Sequence, residues 1–251
     1  MSTLSAADKL SALGVRDTEP DEFQQKKSQG LNAVPSSALE QQIIICNQEL
    51  EPDPIPDLIE GFAPSQASTT LFARGGRHKT TLGMYAALCV AQGVPFLGEY
   101  GVQRGPVFWV DAEGMGRARF LQRLFELCRG MGIERPTGEK VFFFELGVRS
   151  LKDVATLEPL AAFVRKHGVV VTFLDSFTSA MRGGDSNSAD DVSASMALVR
   201  ELGTSIVIDH VRKDADENNP TAFGSVAKEN LSRSSWAVSS QDGALILRHV
   251  K

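Results

Sequence analysis

The chain has little cysteine, and what it has shows no pairing pattern. Cys46, Cys89 and Cys128 are odd in number and lack C-x-x-C spacing, which argues against a disulfide framework. They read as reduced thiols, two of them on core helix faces. No apolar run approaches the ~18 residues that a membrane-spanning helix requires. The N-terminus MSTLSAADKLSALGVRDTEPDEF also lacks the apolar segment of a secretory leader. A cytoplasmic protein with no membrane contact is expected. Basic charge is not in surplus either, since 26 Lys and Arg face 31 Asp and Glu for a formal net charge of −5. Any nucleic-acid contact must therefore come from a local basic patch or from loops.

What is present is enough for one sizeable core, with 42% apolar and 23% charged residues over 251 positions. Residues 1–40 are polar and read as a flexible arm, and residues 41–251 as the folded domain. ELEPDPIPDLI (49–59) carries three prolines and four carboxylates, which suits an extended lead-in. From Ser68 onward, short β-rich runs alternate with segments of helix length. TTLFA precedes a helix near Lys79–Gln92, and PVFWVDAE (106–113) one near Arg117–Arg129. VFFFEL (141–146) precedes a helix near Lys152–His167, VVVTFLD (169–175) one near Ala189–Leu202, and SIVIDH (205–210) follows. SSWAVSS and ALILRHV read as a closing hairpin around Gln241-Asp242-Gly243. Runs such as VVVTFLD and VFFFEL are apolar on both faces, as in strands buried between helix layers. The alternation predicts an α/β domain with a mostly parallel sheet and an antiparallel C-terminal edge hairpin. Ligands of such sheets collect at the carboxyl ends of the strands.

Several polar residues fall at those ends. ARGGRHKTTLG (73–83) approximates G-x-x-x-x-G-K-[ST], but Ala73 and His78 stand where the pattern has glycine. Its Arg74, Gly75, Gly76, Arg77, His78, Lys79, Thr80 and Thr81 are candidate nucleotide contacts. Lys79 would reach the β- and γ-phosphates of ATP, and the Thr80 hydroxyl would join Mg²⁺. Read alone, the segment is equally a basic surface turn. VFWVDAE delivers Glu113, a candidate base for activating water. VVVTFLD delivers Asp175 as a Mg²⁺-associated acid, although an N-cap role for Asp175 or Ser176 is also open. SIVIDH delivers His210, a candidate γ-phosphate sensor. A histidine in the left-handed region at 78 would cost ~1 kcal/mol of strain without preventing loop closure.

In this order the motifs resemble the RecA-like P-loop ATPases, and within them the RepA-type hexameric replicative helicase group. The resemblance runs from about Pro54 to the end of the chain. GPVFWVDAEG is similar to the strand ending in that group's catalytic glutamate, which carries the role to Glu113. FLDSFTSAMRGGDSNSADDV is similar to the Walker B strand and its loop, which places the metal-associated acid at Asp175. IDHVRK resembles the His-His-x-x-Lys sensor segment, with Asp209 in place of the first histidine, His210 matching the second and Lys213 the lysine. The departure in the phosphate loop bears on ATP affinity and turnover.

The resemblance implies a RecA-like ATPase of the P-loop NTPase fold that binds ATP and Mg²⁺ and assembles as a hexameric ring. Its substrate would be single-stranded DNA, as in a replication or recombination motor. Arg248, Lys251 and Lys213 are then candidates for basic fingers reaching a neighbouring subunit. Loops 182–191 and 212–224 would face the ring channel; the first has only Arg182 as a base and no aromatic side chain for stacking. Two other functions fit the residues: a regulatory or assembly ATPase acting on protein partners, and a nucleotide-binding module with little turnover. The domain reads as truncated at its C-terminus, since LILRHVK ends on a strand.

Overall fold

The computed structural model of the protein describes residues 55–184, 188–211 and 230–251. Contacts divide the chain into Met1–Asp53 and Pro54–Lys251, and the fold below is that of the second unit. The polar arm 1–40, its expected boundary at residue 41, and Cys46 lie outside the described residues.

A small antiparallel hairpin, β1 (Asp57–Ile59) with β2 (Ala63–Pro64), opens the unit. The main sheet has seven strands: β3 (Ser68–Ala73), β4 (Val107–Asp111), β5 (Val141–Glu145), β6 (Val171–Asp175), β7 (Ser205–His210), β8 (Ser234–Gln241) and β9 (Ala244–His249). Their order is β5-β4-β6-β7-β3-β8-β9. Every pairing is parallel except β8 with β9. Asp242 and Gly243, with φ of 50° and 81°, turn that last hairpin. Two successive positive φ values suit the right-handed twist of the flanking strands. The helices are α1 (Lys79–Gln92), α2 (Arg117–Met131), α3 (Val154–Lys166), the single turn α4 (Phe177–Ala180) and α5 (Ala189–Arg200).

Strand alternation divides the core into two layers. Leu71, Trp109, Phe173 and Ile208 pack with Leu82, Leu88, Phe120 and Leu124 of α1 and α2. Phe108, Val110, Leu174 and Val207 pack with Leu157, Leu160, Val192 and Met196 of α3 and α5 on the opposite face. β6 is buried along its whole length, as its apolar sequence predicts. β5 is not: VFFFE is half-buried and pairs, among the described residues, only with β4. The run was expected to be sandwiched, but strand order places it at the sheet edge, where half the cover is missing.

α1 sits close on the sheet because Gly83 faces it. A Cβ there would lie 2.8 Å from Ile208 Cδ1 and 3.3 Å from the Trp109 ring. Trp109 in turn stacks on Phe173 with ring centroids 5.4 Å apart. The helix stops at Gly93 (φ 73°), whose N–H donates to Cys89 O, a glycine C-cap. Cys89 and Cys128 are free and buried on α1 and α2, and burial pushes the Cys89 thiol up to about 11. Among the described residues no helix is long and apolar enough to cross a membrane.

Candidate functional site

Strand register brings the expected residues to one edge. Ala73 at the end of β3 lies opposite His210 at the end of β7. Asp175 at the end of β6 lies opposite both Ile208 of β7 and Asp111 of β4. The chain leaves β3 through α1 and returns in β4, with β7 and β6 between them, so the first turn of α1 stands over the ends of the intervening strands.

The loop into α1 explains both departures from the phosphate-loop pattern. Ala73 is an ordinary strand residue, buried and without positive φ; its carbonyl accepts from Val211 N–H at 3.2 Å and from Lys79 Nζ at 3.0 Å. Glycine's freedom is not needed there. His78 is the N-cap of α1, with φ 59° and ψ 22°. This is the left-handed region, which glycine enters without strain and histidine enters more readily than most residues. No side chain caps α1 and no acid lies in its first turn, so its leading amides and dipole are available to an anion. Cβ atoms added at Gly75 or Gly76 would meet nothing within 4 Å, so the hollow beside the loop is open. Arg77 Nη1 donates to Ser240 Oγ at 2.7 Å and ties the loop to β8. Arg74 and Thr81 are half-buried at either end of the segment.

Lys79 is 7% exposed. Its ammonium donates to Ala73 O at 3.0 Å and Arg74 O at 3.3 Å, and lies 3.4 Å from His210 Nδ1. Burial lowers its pKa, opposed by the charges of Glu113, Asp175 and Asp209. An ammonium can only donate, so His210 Nδ1 is the acceptor and Nε2 carries the ring proton. That Nε2 lies 2.8 Å from Glu113 Oε1, and the three side chains form one line, Lys79–His210–Glu113. The hydrogen bond from His210 holds the Glu113 carboxyl below the usual glutamate range, against the effect of burial.

Thr80 Oγ1 donates to Asp175 Oδ2 at 2.8 Å. Asp175 is 3% exposed, and burial pushes its carboxyl up to about 6, with the Thr80 bond acting in the opposite direction. Its side chain therefore turns to α1 and does not cap α4. Ser176 takes the N-cap position there without a side-chain cap bond. A hydroxyl beside a buried carboxylate is a hard-oxygen donor pair that fits Mg²⁺. Among the described residues no group of three or more His, Cys, Asp or Glu could cage a metal by itself. Asp209 accepts from Thr178 Oγ1 at 3.0 Å, and its charge is felt at Lys79.

Arg248 and Lys251 are not brought into the cluster. Arg248 is exposed on β9, opposite Ala237 of β8, which lies opposite Phe72 of β3. Lys251 Nζ donates to Asn230 O at 2.8 Å. Lys213, the loop 212–224 and part of the loop 182–191 lie outside the described residues. Sequence reasoning missed Asp111. Its buried carboxylate accepts from Gly114 N–H (3.0 Å), Met115 N–H (3.2 Å) and Gly116 N–H (2.8 Å). The signal was available, for an aspartate ahead of two closely spaced glycines is the composition of an aspartate-closed turn.

A mostly parallel sheet with a lysine–threonine helix start at one strand end and acids at its neighbours is the arrangement of a nucleotide-binding P-loop ATPase. The family comparison agrees. A family described as AAA domain matches residues 35–216, more than half of the chain, and the protein belongs to that family. No curated protein matches the chain significantly.

Proposed function

We propose that the protein hydrolyses ATP with Mg²⁺ and works as a motor on single-stranded DNA, assembled as a ring of identical subunits. The observation that carries the hydrolysis reading is the Lys79–His210–Glu113 line beside the Thr80–Asp175 pair. Lys79 neutralises β- and γ-phosphate charge, and the open loop at Gly75 and Gly76 lets backbone amides approach. Thr80 and Asp175 would hold Mg²⁺, which when bound offsets phosphate charge and orients its oxygens. Glu113 is the base: ionised at neutral pH and half-exposed, it accepts a proton from the attacking water. His210 touches both the phosphate-binding lysine and the base, a position suited to sensing the γ-phosphate.

The nucleic-acid reading draws on α2. Arg117, Arg119, Arg123 and Arg129 are exposed on it beside one acid, Glu126. No acid among the described residues pairs with any of the four. They place positive charge along one helix of an acidic chain, where it would meet phosphates. Asp190 and Asp191 do not by themselves call for a basic protein partner. They occupy the first turn of α5 behind the Ser188 cap, where negative charge suits the helix dipole. Arg248 and Lys251 are exposed at the C-terminal edge, where a neighbouring copy would meet them, and Lys213 is the third candidate finger.

ATP turnover measured with and without single-stranded DNA, at two salt concentrations, tests the reading. DNA-stimulated, salt-sensitive turnover that is lost in Lys79→Ala and Glu113→Gln is expected. DNA-independent turnover would favour action on a protein partner, and binding without turnover would make the domain a nucleotide-holding module. Mass measurement with and without ATP and Mg²⁺ tests the ring.

A further inference from the structure

Glu113 sits in a turn whose five consecutive amides are all held. Ala112 and Glu113 N–H donate to the Asp175 carbonyl at 2.7 and 3.2 Å. Gly114 and Met115 N–H donate to Asp111 Oδ1, and Gly116 N–H to Asp111 Oδ2. Asp111 ends β4 and is 1% exposed. None of its hydrogen bonds is to a cation; backbone amides solvate the carboxylate. A buried charge arranged this way is costly unless its hydrogen bonds are made, and here all of them go to the turn that carries Glu113. Gly114 and Gly116, with φ of 79° and 78°, give the turn its shape. Gly116 is also the residue from which α2 starts, so the turn has no slack at either end.

We propose that Asp111 is a positioning residue: its carboxylate clamps the turn 112–116 and so fixes where the Glu113 carboxylate meets water. This rests on the reading of Glu113 as the base. The hydrogen bonds of Asp111 reach neither the Glu113 carboxylate nor any phosphate-binding group, so it acts through the backbone alone. Misplacement of a catalytic group by about 1 Å costs on the order of 100-fold in rate. Lys79 and Thr80 make no hydrogen bond to the backbone of this turn, which meets the lysine only through the Glu113–His210 contact.

The test is Asp111→Asn, which keeps the shape but sets an amide donor against one or more of the three N–H groups. We expect kcat to fall roughly 10- to 100-fold, with KM for ATP within about twofold on the same reasoning. The acid limb of the pH–rate profile should survive, because Glu113 is still the base, whereas Glu113→Gln should lose it. Gly114→Ala is the second variant. Its Cβ would meet nothing within 4 Å, so it strains the turn only through φ and leaves the Asp111 charge in place. The same fall in kcat at unchanged KM is expected. Turnover within twofold of wild type in both variants, or a rise in KM matching the loss in kcat, overturns the proposal. Hydrogen exchange at the Gly114, Met115 and Gly116 amides supplies a readout that needs no catalysis, and Asp111→Asn should speed it. A wild-type protein without turnover would sink the hydrolysis reading by itself. Unchanged exchange in Asp111→Asn would sink the clamp, whatever the turnover.

Discussion

Replacing Asp175 with asparagine should stabilise the protein free of metal and nucleotide while removing its Mg²⁺-dependent activity. The carboxyl is 3% exposed and pushed up from 3.8 to about 6 by burial. Its folded pKa is therefore above the unfolded one. Between pH of about 4 and 6 the folded state holds more protons than the unfolded chain, so stability falls as pH rises through that window. A shift of about two units corresponds to roughly 3 kcal/mol above pH 6. Asparagine avoids that penalty and keeps an oxygen for the Thr80 hydroxyl. Its new amide donors need partners, which costs about 1 kcal/mol or more, and leaves a net gain of about 1–2 kcal/mol. For a domain of this size the gain is a rise of roughly 2–8 °C in Tm. Thermal unfolding in a chelator at pH 8, 5 and 4 would measure it. The variant should be the more stable protein at pH 8, close to wild type at pH 5, and the less stable one by roughly 1 kcal/mol at pH 4, where the amide cost is no longer offset. Mg²⁺ with ATP should raise the Tm of wild type and not that of the variant. A variant less stable than wild type at pH 8, or a gain that does not change with pH, would refute the assignment of a buried, destabilising charge.

Two further substitutions test the local geometry. His78 is at φ 59°, so His78→Gly should change stability by no more than about 1 kcal/mol, whereas the β-branched His78→Val should cost on the order of 1–2 kcal/mol and weaken ATP binding. Denaturant unfolding and nucleotide titration of the pair would show whether loop closure depends on that conformation. At Gly83 the Cβ of a valine would lie 2.8 Å from Ile208 Cδ1, and Gly83→Val should destabilise by roughly 1–3 kcal/mol. Adding Ile208→Val, which removes that methyl, should recover part of the loss in the same unfolding assay.

Most of the layout was legible because its signals are local. Lys79–Gln92 reads as a helix from its composition and the glycine that follows, and Asp242-Gly243 announces the closing hairpin by the φ values those residues tolerate. The strand-end positions of Lys79, Thr80, Glu113, Asp175 and His210 follow from the alternation alone. Strand order is a different kind of information. Nothing in VFFFE says that it lies outside β4, since an apolar run has the same letters in the middle of a sheet as at its edge. A four-residue helix such as Phe177–Ala180 is too short to leave a periodic trace. Ala73 was flagged by comparison with a pattern, and only the backbone could show that the position is plain strand. Asp111 was hidden by its neighbour: in Asp-Ala-Glu the exposed acid draws attention away from the buried one, whose turn is signalled only by Gly114 and Gly116 beyond it.

The Lys79 ammonium has three protons, and three acceptors already surround it: two loop carbonyls and His210 Nδ1. The resting loop is thus saturated, and an incoming anion can only exchange into the lysine's shell. A weakly basic monoanion gains little from such an exchange, while a polyphosphate can displace the longest contact, to His210, and keep the other two. On the proposed reading the loop would respond only to an anion of high charge, and such an exchange would change the hydrogen bonding of His210, whose far nitrogen holds Glu113.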